Sequence, residues 1–206
     1  MPAPSPSVVV FDIGNVLVDW DPTHLYRTLF PGRPAAMAWF LDTVCTGAWN
    51  LEQDAGRRWA DGVGALVARF PEWRAEIEAY DKRWHEMIPR TIAGTVAILD
   101  ELCAAGTPVY AITNYSSEKY AESAARFPFF GSFAGVVVSG DERLLKPHRP
   151  IFALLCSRYG LDPADCVFVD DKPENVAGAQ AAGMAALHFT GPDALRRALA
   201  DQGFPV

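Results

Sequence analysis

Hydrophobic residues follow two different patterns along the chain. Four short, uninterrupted apolar runs occur at residues 8–11, 109–112, 136–138 and 166–169, and a fifth, mostly apolar segment at 185–189 is interrupted only by His188. Continuous runs of this kind, rich in Val and Phe, are typical of parallel strands that are buried on both faces. Many of the remaining apolar residues recur every three or four positions, which indicates helices with one apolar face. The sequence therefore predicts five strands joined by helical segments.

Strands and helices alternate from about residue 91 onward. The pattern predicts helices over 92–105 and 117–126, a helix beginning at Pro150, a helix from Pro173 to about Gly183, and a terminal helix. Proline is favourable at the first position of a helix, and glycine commonly follows its end. Alternating strands and helices form a parallel sheet with right-handed crossovers. The predicted fold class is therefore α/β, a doubly wound parallel sheet.

Residues 21–90 contain no strand-like run. Their apolar residues have helical spacing, and several glycines and prolines divide the stretch. We expect three to five helices here, forming a separate bundle inserted into the α/β core of residues 1–20 and 91–206. Tryptophans are frequent in this insert, and most are expected in the core of the bundle: Trp39, Trp49, Trp59, Trp73 and Trp84.

Composition and charge exclude several classes of protein. The chain has 206 residues, half of them hydrophobic, and a net charge of −7, whereas nucleic-acid binding favours a basic surface. No run approaches the roughly 18 to 20 apolar residues of a membrane span. Residues 1–7 lack the basic start and apolar segment of a signal peptide. The four cysteines form no CxxC pair, which favours reduced thiols in a cytoplasmic protein: Cys45, Cys103, Cys156 and Cys166.

Acidic residues stand directly after two of the apolar runs. Asp12 follows the first run, and Asp170 and Asp171 follow the fourth. A carboxylate beside buried strands is costly unless a cation or hydrogen-bond donors meet it. In open α/β sheets, ligands bind beyond the carboxyl ends of the strands. We therefore expect these acids to share one crevice.

Residues that favour an anion follow the other strands. Thr113 offers a hydroxyl, Asn114 offers a backbone N–H close to a helix start, and Lys146 brings a compact positive charge. Clustered carboxylates repel one another without a counter-cation, and a hard ion with oxygen ligands, most simply Mg²⁺, relieves that repulsion. A site with a nucleophile and positive charge around a phosphate is what phosphoryl transfer requires.

Four segments together resemble the motifs of the haloacid dehalogenase (HAD) superfamily. They occur in the family's order, over nearly the whole chain: residues 11–17, residues 112–114, residues 145–147 with 151–152, and residues 169–171 with Asn175 and Gly183. The resemblance implies that Asp12 is the nucleophile that forms an aspartyl-phosphate and that Thr113, Asn114 and Lys146 hold the phosphate. It also implies that Asp12, the Gly14 carbonyl and Asp171 ligate Mg²⁺, with Asp170 as a further or outer ligand. Residues 21–90 lie where this family inserts a helical cap.

Gly14 departs from the pattern of most phosphatases of this superfamily. They have a second aspartate at this position, which serves as the general acid and base. Asp19, Asp21 and His24 are the nearest candidates in sequence to replace it. The segment around Gly14, followed by Asp19 and Asp21, closely resembles the bacterial glucose-1-phosphate phosphatase group, where the same glycine is found. The resemblance therefore favours a phosphatase that acts on a small phosphorylated metabolite, and among such substrates it favours a sugar phosphate.

Three other functions fit parts of the pattern. A 2-haloacid dehalogenase uses the same aspartate to attack carbon, but that family has Ser and Asn where this chain has Asp170 and Asp171. A receiver-like signalling domain also combines acids, Thr and Lys, but it is much shorter and has no helical insert. A phosphometabolite-binding protein that has lost turnover through Gly14 is the remaining alternative.

Overall fold

Five parallel strands form the central sheet. The computed structural model describes residues 6–206, so the prediction for the N-terminal tail lies largely outside the described residues. The sheet has the order β3-β2-β1-β4-β5. Its strands are β1 (Val8–Phe11), β2 (Val109–Thr113), β3 (Gly135–Val138), β4 (Cys166–Asp170) and β5 (Ala185–His188). The predicted doubly wound parallel sheet is confirmed.

Eleven α-helices surround this sheet within residues 6–206. Five lie within residues 21–90, as expected: α1 (Pro22–Leu29), α2 (Pro34–Thr43), α3 (Gly47–Asp54), α4 (Trp59–Arg69) and α5 (Arg74–Lys82). The others follow: α6 (Ala93–Ala104), α7 (Ser117–Arg126), α8 (Ser139–Glu142), α9 (Arg149–Tyr159), α10 (Pro173–Ala181) and α11 (Pro192–Asp201). The sequence pattern does not predict the short helix α8. We refer to residues 21–90 as the cap.

Alternating side chains of the strands pack into two apolar clusters, one on each face of the sheet. Val9 and Phe11 belong to the cluster that also contains apolar residues of α6, α11 and the cap. Val8 and Val10 belong to the other cluster, with residues of α9 and α10. Helices on both faces bury β1 and β4 completely, which is why their sequences are apolar without alternation.

The register of the sheet brings the acids together. Phe11 of β1 is paired with Ala111 of β2 and with Val169 of β4. The residues that follow Phe11 and Val169 are Asp12 and Asp170, so the two carboxylates leave neighbouring strands at the same level. The N–H of Asp12 donates to the carbonyl of Val169 at 2.8 Å, which continues the pairing by one step.

Aromatic residues fill the centre of the cap. Trp59 and Tyr80 are stacked with ring centroids 5.7 Å apart, and both are almost fully buried. Trp49 and Trp84 are also buried, whereas 48% of Trp39 is exposed. The structure therefore places three of the five tryptophans in the core and Trp39 at the surface.

Two expectations from the sequence concern the redox state of the cysteines and membrane-spanning segments. All four cysteines are free thiols. Within the part of the chain that the structure describes, no helix has the length and apolarity needed to cross a membrane.

Candidate functional site

Three carboxylates meet at the carboxyl ends of β1 and β4. One oxygen from each of Asp12, Asp170 and Asp171 lies within 4.8 Å of the others. Asp12 and Asp170 are buried, and Asp171 is partly exposed. Such a cluster is the arrangement that the apolar runs and their terminal acids predict.

A buried lysine lies between two of these acids. Lys146 Nζ is 2.8 Å from Asp12 Oδ1 and 2.7 Å from Asp170 Oδ2. The lysine is 4% exposed, so its positive charge is placed almost entirely inside the protein. A buried ammonium is tolerated only where it is paired, and two carboxylates pair it here.

Asn114 fixes the backbone from which Lys146 projects. Its Nδ2 donates to the Lys146 carbonyl at 3.1 Å, and its Oδ1 accepts from the Lys146 N–H at 2.9 Å. The loop after β2 is thereby tied to the loop between α8 and α9. The sequence predicts Asn114 at the site through its backbone N–H; the structure shows that its side chain also contributes.

The oxygens of Asp170 are fully occupied by donors from the protein. Asn175 Nδ2 is 3.0 Å from both oxygens, the Lys172 N–H donates to Oδ1 at 2.8 Å, and Lys146 approaches Oδ2. Since these bonds use both oxygens, Asp170 acts as an anchor for Lys146 in this arrangement. Asp12 and Asp171 are then the carboxylates best placed to ligate a cation.

The electrostatics of the cluster change the pKa values of its members. Burial raises the pKa of Asp12 to about 7; the charge on Lys146 opposes this effect, and the charges on Asp170 and Asp171 reinforce it. Burial by itself would lower the pKa of Lys146, but the charges on Asp12 and Asp170 outweigh burial and raise that pKa. The pKa of Asp171 is also raised, first by burial and then by Asp170. Negative charge is therefore in excess at this end of the sheet.

The donor set of the cluster fits a hard divalent cation. Carboxylate oxygens within a few ångströms of one another are the ligands that Mg²⁺ takes in proteins. Gly14, two residues after Asp12, lies on the wall of the same cavity. An added cation would relieve the repulsion from Asp170 that adds to the effect of burial on the pKa of Asp171. The residues present thus agree with a magnesium site.

A cavity of about 200 Å³ opens above the carboxylates. The core lines it with residues that include Asp12, Gly14, Thr113, Asn114, Lys146, Asp171, Lys172 and Asn175. The cap contributes Gly47, Asn50, Leu51 and Asp54 from α3 and its N-terminal flank, together with Trp84. The cavity therefore lies between the cap and the carboxyl end of the sheet.

The three acid/base candidates named from the sequence lie elsewhere. Asp19 is 3.2 Å from His24 Nε2, and it also pairs with Arg90. Asp21 accepts from the Thr23 N–H at 2.8 Å and caps the start of α1. None of the three is among the residues that line the cavity.

Several polar residues of the cavity, including Asn50, Asp54 and Lys172, are not among the predicted site residues. Lys172 follows the acid pair directly, so its position in the sequence was a usable signal. Asn50 and Asp54 are one turn apart in α3, and no motif marks them. Their presence at the site depends on how the cap rests on the core.

Comparisons with known proteins agree with this geometry. Residues 6–183 match the family model of the haloacid dehalogenase-like hydrolases. A sesquiterpene phosphatase from Aspergillus oryzae is 33% identical over 182 residues, which are 88% of each chain. Among solved structures, a HAD family enzyme from Bacteroides thetaiotaomicron in complex with magnesium and inorganic phosphate is similar, with a TM-score of 0.68 and 19% identity. That match covers 90% of this chain and 95% of the other.

A second solved structure is a dehalogenase. L-2-haloacid dehalogenase from Xanthobacter autotrophicus, with chloropropionic acid covalently bound, has a TM-score of 0.64 and 20% identity to this chain. The match covers 97% of this chain and 84% of the other. At such identity the likeness concerns the fold alone.

Proposed function

The chain belongs to the haloacid dehalogenase-like hydrolase family, and from this premise we propose that it is a magnesium-dependent phosphatase of small phosphorylated metabolites. The observation that supports this most is the placement of Asp12. Its carboxylate lies on the wall of a cavity between the sheet and the cap, 2.8 Å from the ammonium of Lys146. A nucleophile beside a positive charge is the arrangement that attack on phosphorus requires.

The proposed reaction has two steps at Asp12. In the first, a carboxylate oxygen of Asp12 attacks phosphorus, the ester P–O bond breaks, and an aspartyl-phosphate forms. In the second, water attacks the same phosphorus and releases inorganic phosphate. Dividing one difficult displacement into two easier ones is the general benefit of covalent catalysis.

Lys146 and Thr113 are the proposed phosphate ligands of the chain. Both are buried and line the cavity next to Asp12. Lys146 offsets the charge that develops on the transferring phosphoryl group, and the Thr113 hydroxyl donates to one of its oxygens. Asp170 positions Lys146 by accepting from its ammonium, and Asn175 holds Asp170 by donating from Nδ2 to both carboxylate oxygens.

Magnesium has a supporting place in this proposal. Asp12, Asp171 and the carbonyl of Gly14 would hold the ion, which would supply positive charge to the phosphate in addition to that of Lys146. Asp170 would be an outer residue of that site.

The substrate that we favour carries hydroxyl groups, as a sugar phosphate does. Asn50 Oδ1 is a buried acceptor for which the described residues offer no donor, and Asn50 lines the cavity. A buried acceptor without a partner costs free energy, so a ligand hydroxyl that donates to it would bind favourably. Trp20 and Trp84 supply apolar faces against which a sugar ring can pack. The relative from Aspergillus oryzae carries the name of a sesquiterpene phosphatase, so isoprenoid phosphates are the competing class.

Hydrolysis assays with and without magnesium test this function. We expect the purified protein to release inorganic phosphate from p-nitrophenyl phosphate and from sugar phosphates in the presence of Mg²⁺. This hydrolysis should stop when a chelator removes the Mg²⁺. Asp12→Asn should abolish turnover and keep the fold. Asp61→Asn, a matched change at an exposed residue of α4, should leave turnover intact. Chloride release from 2-chloropropionate without metal would instead support the dehalogenase.

Comparing two substrate classes tests the hydroxyl preference. A panel should pair sugar phosphates with isoprenoid monophosphates at equal concentration. We expect higher kcat/KM for the sugar phosphates and a selective loss of that advantage in Asn50→Leu. Equal or better turnover of the isoprenoid phosphates would contradict the sugar-phosphate assignment while leaving the phosphatase assignment in place.

A further inference from the structure

We propose that Asp54, the last residue of cap helix α3, is the general acid and base of this phosphatase. The inference rests on the proposed function and assigns the role that Gly14 cannot fill. Gly14 has no side chain to protonate a leaving group, yet such assistance contributes about 10²–10⁴-fold in rate. Asp54 is a cap carboxyl group that lines the same cavity as Asp12 and Lys146.

The position of Asp54 is fixed by contacts between the cap and the core. Ser139 Oγ donates to the Asp54 carbonyl at 2.6 Å. A few residues later, Trp59 Nε1 donates to Ser116 Oγ at 2.7 Å. Because these bonds hold the end of α3 to the starts of α7 and α8 in the α/β core, the carboxyl group has a defined place relative to Asp12.

The orientation of the carboxyl group suits proton transfer. Asn50 Nδ2 donates to Asp54 Oδ2 at 3.1 Å, one helical turn away. This bond holds the carboxyl group at the wall of the cavity, where a bound ester can take its proton. Asn50 is thus a positioning residue for Asp54.

The surroundings of Asp54 keep it protonated to a useful extent at neutral pH. Burial raises the pKa of its carboxyl group to about 7, and the negative charge of Asp12 adds to this effect. The backbone N–H of Ser116 and the charge on Lys172 act in the opposite direction but do not outweigh burial. An acid and base is most effective when its pKa lies near the working pH.

Proton transfers through Asp54 balance over the two steps. As Asp12 attacks phosphorus, the ester P–O bond breaks and its electron pair stays on the ester oxygen. That oxygen takes the proton of Asp54 and leaves as an alcohol. In the second step, the Asp54 carboxylate takes a proton from the attacking water, the bond from phosphorus to Asp12 breaks, and inorganic phosphate leaves. Asp12 ends as a carboxylate and Asp54 as an acid, as at the start.

A comparison of leaving groups tests the assignment. Phenyl phosphate needs a proton on its leaving oxygen, whereas dinitrophenyl phosphate has a leaving group that departs as a stable anion. In Asp54→Asn we expect kcat/KM for phenyl phosphate to fall by about 10²–10⁴-fold, and kcat/KM for dinitrophenyl phosphate to change by only a few-fold. This ratio reports the first step, which ends when the alcohol leaves.

A second aspartate offers a rescue of this variant. A Cβ built at Gly14 meets nothing within 4 Å, so the first atom of a side chain fits there without a clash. We expect Gly14→Asp in the Asp54→Asn background to recover much of the lost kcat/KM for phenyl phosphate. Asp61→Asn serves as the control for removing an acid from the cap. A structural role of Asp54 would not show this pattern, because a distorted site would slow both esters alike.

The pH profile of the wild-type protein gives an independent measurement. We expect kcat/KM for phenyl phosphate to fall above about pH 7, where Asp54 loses its proton, and that for dinitrophenyl phosphate to lack this decrease. Wild-type turnover with an equal loss for both esters in Asp54→Asn would overturn the role of Asp54 alone. Absence of wild-type turnover on every ester would overturn the phosphatase assignment and, with it, this inference.

Discussion

The side chain of Asn114 holds both polar groups of the Lys146 backbone. Its Oδ1 accepts from the Lys146 N–H at 2.9 Å and its Nδ2 donates to the Lys146 carbonyl at 3.1 Å. Two bonds from one amide fix the direction in which the lysine leaves its loop. The Lys146 ammonium consequently reaches Asp12 and Asp170 together, although the three residues come from distant parts of the chain.

Replacing Asn114 with leucine should therefore weaken catalysis without removing any group that touches the substrate. We expect kcat/KM to fall by about 10-fold or more, since small misplacements of catalytic groups are costly. The Lys146 N–H and carbonyl would lose their partners, so the free energy of unfolding should also fall by about 1–3 kcal/mol. Steady-state kinetics and urea unfolding measure the two effects. Wild-type kinetics in Asn114→Leu would contradict the positioning role.

The effects of substituting Lys146 and Asp170 on the free energy of unfolding should depend strongly on each other. Their effects on turnover should not. Lys146→Met leaves two buried carboxylates without their cation, and breaking a buried ion pair costs about 3–5 kcal/mol. Adding Asp170→Asn removes one of the orphaned charges, so the double variant should be more stable than the sum of the single changes predicts.

Urea unfolding of the four proteins in this cycle, in the presence of a chelator, measures the coupling. Turnover should stay at least about 10²-fold below wild type in both Lys146→Met proteins, because the charge that offsets the phosphoryl group is missing. If the changes in unfolding free energy of the two single variants add up to that of the double variant, the interaction between Lys146 and Asp170 does not contribute to stability. Activity restored in the double variant would contradict the role of Lys146.

The sheet and its acids could be predicted because one physical constraint shapes both. A strand buried on two faces must be apolar throughout, so the runs ending at Phe11 and Val169 stand out from the rest of the chain. Parallel strands end at the same edge, so the acids after those runs had to meet. The structure confirms the parallel sheet, with Asp12 and Asp170 on adjacent strands.

The cap side of the site could not be predicted in this way. Asp54 reaches the cavity through contacts such as the one from Ser139, which is 85 residues away in sequence. The spacing of apolar residues indicates which face of a helix is buried, but it does not indicate which other element that face packs against. Ser139 itself begins α8, a four-residue helix too short to leave a periodic pattern. The nearest acids in sequence, Asp19 and Asp21, were consequently more visible candidates than Asp54.

Gly56 should be essential for the docking of the cap. Its φ is +95°, and a Cβ at this position would lie 2.8 Å from the Gly140 carbonyl oxygen. Alanine would therefore be strained in backbone conformation and would push the α3–α4 turn away from the core. We expect Gly56→Ala to lower the free energy of unfolding by more than about 1 kcal/mol. We also expect turnover to fall, because Asp54 moves with this turn.

Gly64 offers a matched control in the neighbouring helix α4. A Cβ there meets nothing within 4 Å, and the residue has an ordinary helical conformation. Alanine in a helix interior is favoured over glycine by roughly 0.5–1 kcal/mol, so Gly64→Ala should stabilise the protein. Thermal or urea unfolding of both variants gives the comparison. Equal stability of the two would contradict a tight contact at Gly56.

The raised pKa of Asp54 should make stability depend on pH with a defined sign. Its value is about 7 in the folded protein against an ordinary value of 3.8. Below about pH 4, Asp54 is protonated in both states. Between about pH 4 and 7 the unfolded chain loses the proton and the folded protein keeps it. The folded state therefore loses stability relative to the unfolded state as pH rises through this window.

Asp54→Asn removes this titration, so the effect appears as a difference between two proteins. At pH 4 the variant should be about as stable as wild type. By pH 8 it should be more stable, by up to about 4 kcal/mol at 1.36 kcal/mol per pKa unit. Urea unfolding at both pH values with a chelator present measures this difference, and the titration of Asp12 is common to both proteins. A stability difference that is the same at pH 4 and pH 8 would show that Asp54 titrates as an ordinary carboxyl group. In that case it could not hold the proton that the leaving group requires near neutral pH.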